Sequence, residues 1–329
     1  MTRPALLVTG GSGFIGTNLV EHFDRAGWQV ANFDIAPPRD RAQLAHWTRV
    51  DLLDAAGLAA QLAEHQPRVV LHFAARTDID ERAGLAGYAA NVAGVTNLVL
   101  AIRATPSVER VIFASSQLVA TPDGPPADEL DYLPATTYGR SKALGEIIVR
   151  GANLDATWTI VRPTSIWGPW CATPFREFFT AVARGRYVQP SGMHVTKQWG
   201  YVGNLCRQVD RLVAADPADV DGRTFYAGDY DAVELHDFAN RVRRALGQPP
   251  VRLVPATLLR AGAVVGDIAQ RLGWRHPPLT SFRYQNLVRN ERQELEPLRR
   301  LAGPLPCSVD EGIAFTLAWL RREERALAA

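Results

Sequence analysis

Cysteine is scarce in this chain. Cys171, Cys206 and Cys307 are the only three, an odd number, far apart and without a CxxC. A disulfide framework or a cysteine metal site is therefore not expected, and a reducing compartment fits. The seven histidines are equally dispersed and none falls in an HExxH, so no metal is expected. Long apolar runs of bilayer-spanning length are lacking as well. Met1-Thr2-Arg3-Pro4 leads straight into the first apolar run. That leaves no room for a signal peptide, and a cytoplasmic location is expected. Neither sign of charge dominates: 36 Lys and Arg against 34 Asp and Glu leave a net +2. Such a balance gives no reason to expect nucleic acid or a membrane as partner. Internal repeats and low-complexity linkers are also missing.

What the chain does have is length and alternation. Its 329 residues, 47% hydrophobic and 21% charged, suffice for a large core in a soluble globular protein. Short apolar runs at Leu6–Val8, Val30–Phe33, Val69–Phe73, Val111–Ala114 and Thr159–Arg162 read as strands. Between them, Asn18–Arg25, Ala55–Glu64, Tyr88–Arg103 and Tyr138–Arg150 carry helical spacing. This alternation predicts an α/β fold, a Rossmann-type doubly wound parallel sheet covered by helices on both faces. Ligands of such sheets bind beyond the carboxyl ends of the strands.

From Ile166 the pattern breaks. Trp167-Gly168-Pro169-Trp170 reads as a loop, followed by a helix near Pro174–Arg184. Tyr201–Ala214 reads as another sheet-covering helix and Thr224–Ala227 as a last strand. Beyond Gly228 lies a helical region punctuated by Pro249-Pro250, Pro277-Pro278, Pro304 and Pro306. Ser308-Val309-Asp310-Glu311 has the spacing of a capping box at the start of a terminal helix. The expected division is interleaved. Residues 1–165 plus about 196–228 form the sheet domain, and about 166–195 plus 229–329 form a smaller, mostly helical substrate-binding lobe.

Val8-Thr9-Gly10-Gly11-Ser12-Gly13-Phe14-Ile15-Gly16 joins the first strand to its helix. Gly10 and Gly13 let the backbone approach a pyrophosphate, and Gly16 lets the helix pack close to the sheet. The helix opens at Phe14 and Ile15, and its free N–H groups and dipole face the phosphates. Asp34 ends the second strand about twenty residues on, where a carboxylate accepts from the adenosine ribose hydroxyls. The same carboxylate repels a 2′-phosphate, which selects NAD over NADP, although Arg39 and Arg41 stand nearby.

Tyr138-Gly139-Arg140-Ser141-Lys142 places a phenol and an ammonium four apart on one helix face. A neighbouring cation favours the phenolate, so Lys142 is expected to pull the Tyr138 pKa down. Tyr138 is then the acid–base for a substrate hydroxyl. Upstream, Ser115-Ser116-Gln117-Leu118-Val119 follows a strand end, where a hydroxyl can bind a substrate oxygen.

The order glycine turn, ribose acid, strand-end serine and YxxxK resembles the extended short-chain dehydrogenase/reductases. It is most similar to their nucleotide-sugar epimerase and dehydratase branch, over nearly the whole chain. Thr9–Gly16 matches the TGxxGxxG of that branch. Asp51-Leu52 matches an acidic–apolar pair that touches adenine. His72-Phe73-Ala74-Ala75 matches its HxAA under the cofactor, where His72 supports the turn. Asn91-Val92-Ala93-Gly94-Val95 resembles NVxGT, with Val95 for threonine. Arg162-Pro163-Thr164-Ser165-Ile166-Trp167-Gly168-Pro169 resembles RxxNxYGP, with Ser165 and Trp167 substituted. Trp199-Gly200-Tyr201-Val202-Gly203-Asn204 resembles WxYVxD, with Gly203-Asn204 for the acidic pair. The resemblance makes Ser116, rather than Ser115, the catalytic hydroxyl. The tail Val119-Ala120-Thr121 lacks the family's tyrosine and glycine.

The resemblance implies NAD held by Gly10, Gly13, Phe14, Ile15, Asp34, Asp51, Leu52, Phe73, Ala74, Ala75, Asn91, Tyr138, Lys142 and Pro163. It implies a nucleotide-diphosphate sugar as substrate, near Ser165, with Lys197 and Arg176 reaching the diphosphate. Trp167 and Trp170 read as core or lid, and Cys171 lies near the substrate loop. The implied reaction is 4-epimerisation. Tyr138, Ser116 and Lys142 oxidise the sugar at C4, and the hydride returns to its other face. A 4,6-dehydratase is the alternative, but Gln117 and Leu118 occupy the positions of its acidic pair and neither exchanges a carboxyl proton. A 4-ketoreductase or dehydrogenase is the third reading, and a non-catalytic NAD-binding protein the fourth. Tyr88–Arg103 and Tyr138–Arg150 are similar to helices that pair across a two-fold axis in this family, which implies a homodimer.

Overall fold

The computed structural model describes residues 4–78, 84–120, 128–274, 277 and 279–328. Thr121 and Pro278, named above, lie outside the described residues. The chain divides into two compact units. One comprises Met1–Cys171, Gly200–Tyr230 and Gln293–Ser308, and the other Ala172–Trp199, Asp231–Arg292 and Val309–Ala329.

Among the described residues the first unit is built on a seven-stranded sheet. Its strands are β1 (Ala5–Thr9), β2 (Gln29–Asp34), β3 (Trp47–Arg49), β4 (Val69–His72), β5 (Arg110–Ala114), β6 (Thr157–Pro163) and β7 (Arg223–Ala227). The order is β7-β6-β5-β4-β1-β2-β3, and every pairing is parallel. Leu7 sits level with Ala31 on β2 and Val70 on β4. The chain winds outwards in both directions from β1, so right-handed crossovers put helices on opposite faces. One layer holds α1 (Phe14–Arg25) against the helix Val202–Ala214, and the other packs α2 (Ala55–His65), α3 (Ala89–Arg103) and α4 (Thr137–Arg150) side by side. The doubly wound sheet expected from the alternation is the one observed.

Buried apolar side chains weld sheet to helices. Leu7, Leu58, Leu62, Val70, Leu98 and Val111 share one core with no exposed surface. Each such side chain stabilises the fold by about 1.5–3 kcal/mol. β3 escaped the sequence reading because Trp47-Thr48-Arg49 offers no apolar alternation; it is held by β2 and by Trp47 Nε1, which donates to the Asp34 carbonyl. Ser165–Trp167 likewise forms a short strand, which takes in Trp167, the first residue of the expected loop. A further correction concerns apolar length. Gly84–Arg103 is a helical run of 20 residues whose most apolar 18-residue stretch has a mean hydropathy of 1.5, long and apolar enough to cross a membrane. Asn91, Thr96 and Asn97 interrupt it and hid it from the sequence reading. Here α3 is sandwiched between α2 and α4, which accounts for its apolar character.

Gln293–Ser308 groups with the sheet unit, although its position in the chain suggested the smaller lobe. The helix Glu296–Ala302 packs on Val202–Ala214, with Leu298 fully buried. Tyr230 donates to the Gly303 carbonyl at 2.9 Å. Asn204 spans to Cys307 in both directions, donating to its carbonyl and accepting from its N–H.

The second unit is mostly helical among its described residues. Phe178, Phe179, Trp199 and Phe238 interlock edge to face or tilted, joining the helices Phe175–Ala183 and Leu235–Ala245. Two short strand pairs complete it. Val188–Pro190 runs parallel to Arg252–Val254, and Thr196–Lys197 antiparallel to Val233–Glu234.

Candidate active site

The glycine turn lies at the switch point, where β1 is flanked by β2 and β4. Gly10 adopts φ +75, and a Cβ there would sit 2.5 Å from the backbone N and Cα of Ala74. A Cβ on Gly16 would come within 2.0 Å of the Gly10 carbonyl oxygen. Only glycine allows both the left-handed turn and this approach. Phe73 N–H donates to the Thr9 carbonyl at 3.0 Å, which brings Phe73-Ala74-Ala75 alongside the turn. Gly13 is the N-cap of α1 and no side chain caps it, so Phe14 and Ile15 open the helix with its dipole directed into the crevice. This cradle, with a helix terminus at its end, suits a diphosphate.

Asp34 stands at the rim of the same crevice. Its Oδ2 accepts from Ser12 N–H at 3.1 Å and its Oδ1 from Ala36 N–H at 3.0 Å. These bonds fix the carboxylate beside the glycine turn. Arg39 donates instead to the Trp170 carbonyl at 2.8 Å. Asp51 is exposed and accepts from Leu53 N–H, while Leu52 is buried against Gly94, whose added Cβ would lie 3.0 Å from the Leu52 Cβ. Asn91 is occupied within the protein. Its Oδ1 accepts from Arg76 N–H, and its Nδ2 donates to the Arg76 carbonyl and the Ser141 Oγ. It ties the segment after β4 to α4.

On the other side of the switch point, β5 runs into Ser115 and Ser116. Thr136 caps α4 by accepting from Gly139 N–H at 3.0 Å. A Cβ on Gly139 would lie 2.1 Å from the Leu118 carbonyl oxygen, so this glycine lets α4 press on the serine turn. Ser116 Oγ accepts from Leu118 N–H at 3.1 Å, and its hydroxyl lies close enough to the Tyr138 phenol to act on its ionisation. Ser115 points elsewhere and donates to Glu146. Tyr138 and Lys142 are both buried, and the Tyr88 ring tilts against Tyr138 with centroids 6.1 Å apart.

The electrostatics differ from the sequence expectation. Burial pushes the Tyr138 phenol up to about 12, against a lowering by the nearby Ser116 hydroxyl, and Tyr88 adds to the rise. Lys142 is not among the groups that move it. Desolvation also holds the Lys142 ammonium down to about 8, partly offset by Glu146. Burial, and then the Lys142 charge, drop His72 to about 3. At neutral pH the phenol is therefore a proton donor beside a cation, with a neutral imidazole behind. His72 is anchored by Thr9, whose Oγ1 lies 2.8 Å from its Nδ1.

Sequence reasoning missed the support beneath this group. Glu146 receives Arg162 through two bonds of 2.8 Å, Nε to Oε1 and Nη2 to Oε2, with Ser115 and Tyr132 as further donors. Glu146 continues the Tyr138–Lys142 spacing by one more helical turn, and that signal was available. Asp229 was missed as well. It accepts from Asn204 Nδ2 at 2.8 Å and from Tyr201 N–H at 3.1 Å. A carboxylate distant in sequence thus lies where Gly203-Asn204 lacks one.

The candidate substrate residues are placed unevenly. Pro163 is buried at the end of β6, paired with Ala227, and Ser165 accepts from Gln117 Nε2 at 3.1 Å. In the second unit, Lys197 is buried. Its Nζ donates to Glu291 Oε1 and to the Asn286 carbonyl, each at 2.8 Å. Arg176 lies over the Trp319 ring, 5.6 Å from its centroid. Lys197 is thus taken up by acceptors of its own unit, in contrast to the role that the resemblance implied.

Comparison with known proteins adds four findings. Residues 6–228 match the model of the NAD dependent epimerase/dehydratase family. A 2-alkyl-3-oxoalkanoate reductase of Stenotrophomonas maltophilia is 27% identical, covering 94% of this chain and 97% of that protein. A 3-beta-hydroxysteroid dehydrogenase of Mycolicibacterium neoaurum is also 27% identical, over 93% of this chain and 88% of its own. Among solved structures, UDP-glucose 4-epimerase of Thermotoga maritima with UDP-glucose superposes with a TM-score of 0.74 at 19% identity, covering 97% and 99% of the two chains.

Proposed function

The chain belongs to the NAD-dependent epimerase/dehydratase family, and from that premise we propose that it is an oxidoreductase acting on a secondary alcohol or its ketone. The burial of Tyr138 beside Ser116, with Lys142 one helical turn away, is the observation that carries this reading. NAD, when bound, supplies the hydride acceptor and donor. The turn Gly10–Gly16 and the start of α1 hold its diphosphate, Asp34 its adenosine ribose, and Lys142 its second ribose. Ser116 orients the substrate oxygen. Tyr138, a neutral phenol, gives its proton to that oxygen as a ketone is reduced, and takes it back in the reverse direction. Lys142 then serves by holding the cofactor ribose, since it is not among the groups that move the Tyr138 pKa.

Two substrate readings follow. Net dehydrogenation or reduction of an apolar alcohol or ketone is favoured by the commitment of Lys197, the cation expected at a diphosphate, to Glu291. The names of the two near-full-length relatives point the same way. A nucleotide-sugar 4-epimerase is supported by the family and by the solved neighbour with UDP-glucose. Gln117, whose amide donates to Ser165, speaks against a 4,6-dehydratase.

One experiment separates these readings. The protein is incubated with NAD⁺ and either hydroxysteroids and 3-hydroxy acids or a panel of nucleotide sugars, and products are read by NMR and NADH absorbance. Stoichiometric NADH with the apolar alcohols supports the first reading; an epimer without NADH supports the second. Tyr138→Phe is expected to lower turnover at least about 100-fold while NAD⁺ still binds. Full activity in that variant would remove the mechanism.

A further inference from the structure

The helix Ala256–Arg271 in the second unit is apolar on two opposite sides. Leu259, Ala263 and Gly266 face inward, and a Cβ on Gly266 would strike the Leu279 carbonyl oxygen, so that side is closed by packing. At about 100° per residue, Leu258, Val265, Ile268 and Leu272 fall on the far side, with Val264 at its edge. All five stand in solvent, from 51% exposed for Val264 and Ile268 to 83% for Leu272. Trp274, just past the helix, is 57% exposed. A stripe of this size on one helix is not ordinary surface.

The charge around it is one-sided. Arg260 and Arg271 flank the stripe and are exposed. The helix carries these two arginines against Asp267 alone, in a chain whose net charge is only +2. Asp267, the acid on the helix, is engaged as an acceptor from Ser281 N–H at 2.9 Å. A second copy of the chain, meeting this face about a two-fold axis, would bring arginine against arginine. An anionic bilayer supplies both missing complements. Acyl chains receive the apolar stripe, headgroup phosphates receive the guanidiniums, and a tryptophan marks the interface.

We propose that this face docks the protein on an anionic lipid surface. The inference stands apart from the substrate readings above and needs neither. Whole-chain charge concealed it, because the arginine excess is local.

The test uses the full-length protein and vesicles of phosphatidylcholine with or without phosphatidylglycerol. Cosedimentation is expected to be at least about tenfold stronger with phosphatidylglycerol and to collapse at high salt. Val265→Glu with Ile268→Glu, and separately Arg260→Glu with Arg271→Glu, should each weaken it by a similar factor. For the unmodified protein, brominated lipid should quench a share of the tryptophan emission that Trp274→Phe removes. This reading does not depend on the folding of the charged variants. Failure of the unmodified protein to bind phosphatidylglycerol vesicles overturns the proposal. So does self-association that Val265→Glu abolishes in the absence of vesicle binding, since the face would then belong to a second copy.

Discussion

Glu146 and Arg162 meet through two parallel hydrogen bonds of 2.8 Å, with each side chain at most 2% exposed. One lies on α4 and the other on β6, so the pair locks the helix that carries Tyr138 and Lys142 to the sheet. Removing one partner strands the other charge. Glu146→Gln should destabilise the protein by about 3–5 kcal/mol, measured as a shift of the urea midpoint. A loss below about 1 kcal/mol would show that the pair contributes no more than a surface bridge.

His72 makes the fold acid-sensitive. Its imidazole titrates at about 3 in the folded chain, lowered from 6.5 by burial and by Lys142. Between those values the unfolded chain binds the extra proton. Stability therefore falls as pH drops from about 6.5 towards 3. His72→Gln removes the titration, and its stability should decline less steeply over that window. Equal slopes in acid denaturation would refute the assignment.

We propose that Asp34 sets the cofactor preference. Its carboxylate faces the glycine turn, and Arg39 is drawn off to the Trp170 carbonyl. NAD⁺ should bind more tightly than NADP⁺ in a fluorescence titration, with Asp34→Ala narrowing the gap by about tenfold or more. Tighter NADP⁺ binding by the unmodified chain would reverse the reading.

Leu100 on α3 and Ile147 on α4 both point into solvent from helices that pack on each other. We propose that they form the centre of a homodimer interface. Sedimentation should show a dimer at micromolar concentration, and Leu100→Glu with Ile147→Glu should give a monomer. A monomeric unmodified protein would end this proposal.

The parts that could be read in advance are the ones governed by short-range rules. Strand β1, the turn through Gly10 and helix α1 follow from apolar spacing and from the backbone approach that only glycine permits. The face shared by Tyr138 and Lys142 follows from helical periodicity. Boundaries slipped where local signals were weak, as at Trp47–Arg49, which is a strand only because β2 lies beside it. The fate of Gln293–Ser308 was equally hidden, since it depends on Asn204 and Tyr230, far back in the chain.

Amino-acid order alone thus determined the alternation, the phosphate cradle and the phenol–ammonium pairing, because each is fixed by neighbours a few residues apart. Only the tertiary structure decided which charges are available. Burial keeps Tyr138 protonated, Glu291 consumes Lys197, and Glu146 grips Arg162. Desolvation and ion pairing act between groups that the chain separates and the fold brings together. The same holds for the helix Ala256–Arg271. Its apolar residues lie on two sides, and packing alone chose the side that remains in water.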